Sequence, residues 1–197
     1  MKKPQNVKIC LNAMVGSEAN TIERMLKSVV GYVDYYVIQC NGNDNTKQII
    51  DTFFAANNVP GFTYEIAWDY PGWNRDHTLQ TCLSADHGCD WILRMDADEQ
   101  LRVDEDYNWL QFTDTSIDSF NIVADPGDSL YFRTWLWNAK RPWFFAHDKR
   151  HETIHLPQIG ENFTPTRLQE IGFDLRAHQS DFLLRFSAKR VSATSRM

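Results

Sequence analysis

The stretch Trp91-Ile92-Leu93-Arg94-Met95-Asp96-Ala97-Asp98-Glu99-Gln100-Leu101 decides how the rest of the chain is read. Its first five residues are mostly apolar and predict a buried strand over 91–95. That strand runs straight into three acids within four positions. Carboxylates at i and i+2 where a strand ends can point to the same side. Such a pair offers hard oxygen ligands to Mg²⁺ or Mn²⁺ while substrate phosphates supply others. A metal held there offsets charge building on a departing diphosphate. Like charges packed together cost energy unless something neutralises them. On spacing alone, a metal site and a solvated turn stand level.

Towards the N-terminus, strand and helix signals alternate. Val7 to Val15 reads as a strand, broken by Gly16-Ser17-Glu18-Ala19-Asn20. Asn20 with Glu23 resembles a capping box, and Ile22, Met25, Leu26, Val29 and Val30 keep helical spacing until Gly31. Tyr35 to Gln39 is a second strand, and Asn41 to Asn45 is a loop. A helix from Thr46 carries Ile49, Ile50, Phe53 and Phe54 on one side, and Phe62 to Ile66 suits a third strand. A third helix is expected over 75–85, with Leu79, Cys82 and Leu83 inward and Gly88 beyond its end. This alternation predicts an α/β fold: a parallel, Rossmann-like sheet in a three-layer α/β/α sandwich. Ligands of such sheets sit beyond the carboxyl ends of the strands. The loops holding Ser17 and Glu18, Asn41 to Asp44, and Asp96 to Glu99 are therefore expected on one rim.

Beyond about residue 105 the pattern changes. Ser119 to Ala124 and Leu130 to Leu136 read as strands of a hairpin around Pro126-Gly127-Asp128. Residues 137–181 are aromatic, His-rich and poorly periodic, as an acceptor-binding lobe would be, and Phe182 to Arg190 suggests a closing helix. The expectation is one domain over 1–197, with a nucleotide-binding half over about 7–104 and a small, irregular acceptor-binding half over about 105–197.

Composition narrows the function classes. The chain has 197 residues, 43% hydrophobic and 23% charged, ordinary values for a globular domain. A net charge of −6 gives no basic field for nucleic acid. Arg185, Lys189, Arg190 and Arg196 form the one basic stretch and read as a solvated face and tail. Seven Trp and twelve Phe are many for this length; packing explains them first, and stacking on a sugar's C–H face second. Cys10, Cys40, Cys82 and Cys89 show no C-x-x-C spacing and read as small hydrophobes in a reducing cytosol. The N-terminal apolar stretch is too short and mixed for a secretory signal, and no run approaches a membrane span. A cytoplasmic enzyme without a transmembrane segment is expected.

The quoted stretch closely resembles the strand-plus-DXD segment of family 2 glycosyltransferases with the GT-A fold. Other segments match in family order. Ser17-Glu18 with the following helix is similar to an Asn-Glu loop, with Ser17 in place of Asn. Asp44 and Thr46 match the end of the nucleotide loop, where Gln39 stands in place of the first Asp. Asn74-Arg75-Asp76 is similar to an Ala-Arg-Asn segment, Arg133-Thr134-Trp135 to an Arg-Leu-Trp element, and His151-Glu152 to a His-Glu element. His178 resembles a late His that ligates metal in several GT-A enzymes. The resemblance covers about residues 7–180. It implies metal-dependent, inverting transfer of a sugar from a nucleotide-diphosphate sugar to a saccharide, lipid-linked or protein acceptor. It further implies Asn12, Glu18, Asn41, Asp44, Arg75, Asp96 and Ala97 around the nucleotide-sugar. Asp98, Asp96 and His178 would surround Mn²⁺ or Mg²⁺, and Glu152, beside His151, would be the general base.

A different chemistry also fits a motif. His151-Glu152-Thr153-Ile154-His155 satisfies H-E-x-x-H, in which two His one helical turn apart bind zinc and the Glu activates water. Pro157 two residues on and the charged Asp148-Lys149-Arg150 before it weigh against a buried helix. A non-catalytic nucleotide-sugar-binding domain is a third reading, kept open by Gln39. A sugar nucleotidyltransferase is a fourth, lowered by the lack of a glycine-rich phosphate loop near the N-terminus.

Overall fold

A computed structural model describes residues 3–105, 107–125, 131–146, 154–156 and 182–186. The first half follows the alternation. Strand β1 (Ile9–Val15) leads through helix α1 (Ile22–Val29) to β2 (Tyr35–Cys40), then α2 (Thr46–Ala56), β3 (Gly61–Tyr64), α3 (Pro71–Ser84) and β4 (Trp91–Arg94). Helix α1 buries Ile22, Met25, Leu26 and Val29, the i, i+3, i+4, i+7 stripe of an amphipathic helix. It begins after Thr21 rather than Asn20, and the Thr21 hydroxyl lies 2.7 Å from the Glu18 carboxylate. Helix α3 starts four residues earlier than expected because Pro71, with its fixed φ, suits the first helical turn. Strand β3 stops at Tyr64, short of Ile66.

The central sheet is mixed and mostly parallel, in the order β3-β2-β1-β4-β7-β6-β10-β5. Strands β1 to β4 run parallel, and β4, although fourth in sequence, pairs with β1. The chain therefore reverses its direction of travel across the sheet between β3 and β4. Right-handed crossovers then put α1 and α2 on one face and α3 on the other. Helix α1 packs on α2, whereas α3 packs on β1 and β2. Cys10 and Asn12 face α3, touching Cys82 and the Thr78 carbonyl.

The later half extends the same sheet. Strands β5 (Glu99–Val103), β6 (Ser119–Asp125) and β7 (Tyr131–Asn138) follow, with a 3-10 helix at Trp109–Thr113 between β5 and β6. β6 and β7 pair antiparallel, as a hairpin requires, with a register shift at Phe120/Asn121. β7 pairs with β4, so the sheet passes through both halves of the chain. A two-stranded ribbon joins β8 (Phe144–Phe145) to β9 (Ile154–His155).

One expectation fails here. The closing helix over 182–190 is instead strand β10 (Phe182–Phe186), parallel to β5 and antiparallel to β6. Five residues with ladder partners on both sides satisfy their backbone groups better as a strand than as barely more than one helical turn. The zinc-peptidase alternative needs a helix through His155, whereas Ile154 and His155 are extended and paired with Phe145 and Phe144; His151 and Glu152 lie outside the described residues. The His155 ring lies 5.4 Å from that of Phe144.

Most rings are packing. Trp91, Tyr107, Trp109, Phe112 and Phe120 form one contiguous cluster under the 3-10 helix. Among the described residues no helix is long and apolar enough to cross a membrane.

Candidate functional site

The carboxyl ends of β1, β2 and β4 share one rim, and specific contacts hold their loops together. The Ser17 hydroxyl donates to the Asn43 side chain at 2.9 Å. Asp44 accepts from the Thr46 amide at 3.0 Å and its hydroxyl at 2.5 Å, and from the Ala19 amide at 3.1 Å. Those bonds, the Thr46 hydroxyl first, hold its carboxyl below the usual range. The Glu18 amide donates to the Thr46 hydroxyl at 2.7 Å. Gly42 makes the approach feasible: a Cβ there would stand 2.4 Å from the Gly16 carbonyl oxygen.

β1 and β4 are the neighbours between which strand order reverses, the position where open α/β sheets leave a crevice. Asp96 to Glu99 emerge there and occupy three different environments. Asp96 receives Arg75 Nη2 at 2.7 Å and Arg94 Nη2 at 3.1 Å. Burial alone would raise its pKa, but Arg75 and then Arg94 outweigh that and hold it at about 2. Glu99 is buried, accepts from the Asp96 amide at 2.7 Å and stands 3.5 Å from Arg133. Burial, and then the Asp96 charge, push it up to about 8. Arg94 and Arg133 lie against the Trp135 ring, 4.6 and 4.2 Å from its centroid. Asp98 is exposed at the rim. Its pKa is raised by partial burial, with Asp96 and Glu18 as like charges adding to it. Ala97 between them is buried.

The other expected residues divide. Asn41 sits at the rim and accepts from Gln39 Nε2 at 2.5 Å while donating to the Ile66 carbonyl. Asn12 is buried in β1, its amide donating to the carbonyls of Thr78 at 3.1 Å and Val37 at 3.3 Å. Gln39 is fully buried and accepts from the Thr78 hydroxyl at 2.7 Å, a structural tie between β2 and α3. Beside Arg75, the buried Asn74 amide nitrogen has no hydrogen-bond partner among the described residues. Glu152, His151 and His178 lie outside the described residues.

Residue types alone did not reveal the arginine frame. Arg94 stood in the quoted stretch, yet its role depends on Asp96 two residues on and on Trp135 in a strand far along the chain. Trp68 was also missed. It is 54% exposed and, with Met14, Val15, Gly16 and Asn41, lines a cavity of roughly 320 Å³ at the ends of β1 and β2.

No family model matches this chain, and no curated protein matches it. Among solved structures, the crystal structure of S. aureus TarS is similar with a TM-score of 0.38 and 18% identity. The match covers 47% of this chain and 17% of that one, so this chain spans far less than two thirds of that chain's length.

Proposed function

We propose that the chain is an inverting glycosyltransferase of the GT-A kind, moving a sugar from a nucleotide-diphosphate donor to an acceptor hydroxyl. The observation that carries this reading is the position of Asp98. It is an exposed carboxylate at the end of β4, where strand order reverses, backed by Asp96 clamped between two arginines. Mg²⁺ or Mn²⁺ fits the donor set, because Asp98 lies in the field of Asp96 and Glu18, which disfavours its charge until a cation offsets it. Asp98 would hold the ion; the Asp96 oxygens are taken up by Arg75 and Arg94. When bound, the ion supplies charge neutralisation for the departing nucleotide diphosphate.

The chain's own residues do the rest. Arg75 presents a fixed cation beside the crevice, suited to a diphosphate oxygen. The cavity under Trp68 offers an aromatic face to a nucleobase. Glu152, in the later half, is the acid assigned to take the acceptor's proton, with His151 beside it and His178 as a further metal ligand; these three roles rest on the resemblance. The acceptor is a saccharide, a lipid-linked sugar or a protein.

Thermal shift tests the reading directly. A nucleoside diphosphate at about a hundred times its Kd should raise Tm by about 5–10 °C with Mn²⁺ present and not without it. Asp98→Ala should abolish that shift. A metal-independent shift that survives Asp98→Ala would overturn the proposal. Binding without turnover over a broad acceptor panel would favour a non-catalytic nucleotide-sugar-binding domain instead.

A further inference from the structure

Near the amino-terminal ends of β1 and β4, away from the ends that carry the acidic cluster, three thiols and an imidazole converge. Cys10 opens β1, Cys82 ends α3, and His87 and Cys89 lie in the connection into β4. All three cysteines are buried, 0%, 0% and 5% exposed. Cys10 Sγ and Cys82 Sγ are 3.4 Å apart, and one ligand atom each from Cys10, Cys82 and His87 lies within 4.8 Å of the others. Cys89 stands beside that group of three, its Sγ 3.7 Å from the His87 carbonyl oxygen. We propose that Cys10, Cys82, Cys89 and His87 form a structural zinc site.

Geometry and ligand chemistry both favour a metal over a chance gathering of hydrophobes. Three sulfurs and one nitrogen are the donor set of a closed tetrahedral Cys₃His site. With metal–sulfur bonds of about 2.3 Å, tetrahedral sulfurs stand about 3.8 Å apart, so the 3.4 Å separation needs only a small spread. With His87 Nε2 donating to the Cys82 carbonyl oxygen at 3.1 Å, the ring's lone pair is on Nδ1, which accepts from the Cys89 amide at 2.9 Å; Nδ1 would give up that bond to ligate a metal while the carbonyl holds the other nitrogen. Soft thiolates with imidazole select zinc over the hard cations suited to Asp98.

The mechanical consequence follows from where the four ligands come from. β1, the C-terminal end of α3 and the lead into β4 would be stapled at one point. β4 carries the acidic cluster at its other end, so the staple fixes the strand on which the rim depends. Cys40, the fourth cysteine, is buried on β2 away from this group and serves as a control.

The test uses the whole chain, purified with zinc and without chelators. Elemental analysis should find about one zinc per chain. Cys82→Ser and Cys89→Ser should reduce it to background, while Cys40→Ser and Asp98→Ala keep it; Asp98→Ala thereby separates this site from the proposed catalytic one. Cobalt(II) added to chelator-treated wild type should give thiolate-to-cobalt charge-transfer bands and the d–d bands of tetrahedral geometry. That readout stands even where a cysteine variant fails to fold. Zinc at background in folded wild type after incubation with the metal overturns the proposal. So does a cobalt spectrum without charge-transfer bands, or an intact mass lower by two hydrogens with Cys10 joined to Cys82.

Discussion

Asp96 and Asp98 are two residues apart and do opposite work. Asp96 is an internal anion whose oxygens are taken up by Arg75 and Arg94, and Asp98 faces outward with like charges behind it. Substitution should separate them. Asp98→Asn removes an exposed charge, so the ligand-free Tm should stay within about 2 °C of wild type while the Mn²⁺-dependent nucleotide shift disappears. Asp96→Asn instead weakens a partly buried pair with two cations and should lower Tm by about 4–12 °C, from a loss of roughly 2–3 kcal/mol, read by calorimetry. Trp68 offers a third check. Its ring is more than half exposed, so Trp68→Ala should leave Tm nearly unchanged. If a base stacks there, nucleotide affinity should fall by about 10-fold or more in calorimetric titration. The sequence made the carboxylates visible because they follow an apolar strand. It hid their counterions, because Arg75, Arg94 and Arg133 come from a helix and two strands that only the folded sheet brings together.

At the level of elements, the rim depends on two loops that touch through backbone. Gly42 lies where a Cβ would be 2.4 Å from the Gly16 carbonyl oxygen, and that obstacle is main chain and not a side chain able to swing aside. Gly42→Ala should therefore push the β2–α2 loop away from the β1–α1 loop, breaking the Ser17–Asn43 and Ala19–Asp44 hydrogen bonds. A Tm fall of about 4 °C or more and loss of nucleotide binding are expected. Gly31→Ala is the matched control, since nothing lies within 4 Å of a Cβ there. It should be neutral or stabilising by up to about 1 kcal/mol. Equal losses in both variants would show that the loop contact carries no special weight. Elements of this half were legible in sequence because their signals are local: apolar runs for β1, β2 and β4, and spaced stripes for α1 and α2. β5 escaped notice because Glu99-Gln100-Leu101-Arg102-Val103 is short and partly charged. The thiol cluster escaped for a related reason: Cys10 on β1 meets Cys82 on α3, 72 positions along the chain and beyond any local spacing rule.

Across the whole molecule, the surprise is how the chain closes. Strand β10 sits between β6 and β5, and among the described residues β5 has no other strand beside it. An apolar five-residue segment carries no decisive period of its own, so the helix expectation and the strand are separated only by the partners waiting at the sheet. Those partners are the consequence to test. Without β10, the backbone of β5 loses its ladder, and β6 becomes an open edge inviting aggregation. A chain ending at residue 181 should therefore melt about 5 °C or more below one ending at 187, or associate. Hydrogen exchange gives the finer reading. In the full chain, β5 amides that bond to β10 should be protected far above those of the exposed loop at 114–116, and the 181-residue chain should lose that protection while β1 and β2 keep theirs. Equal exchange of β5 in both chains would mean that β10 does not pair there. Because Asp96 to Glu99 lead directly into β5, losing this strand should also loosen the acidic cluster and reduce the metal-dependent nucleotide shift in the shortened chain.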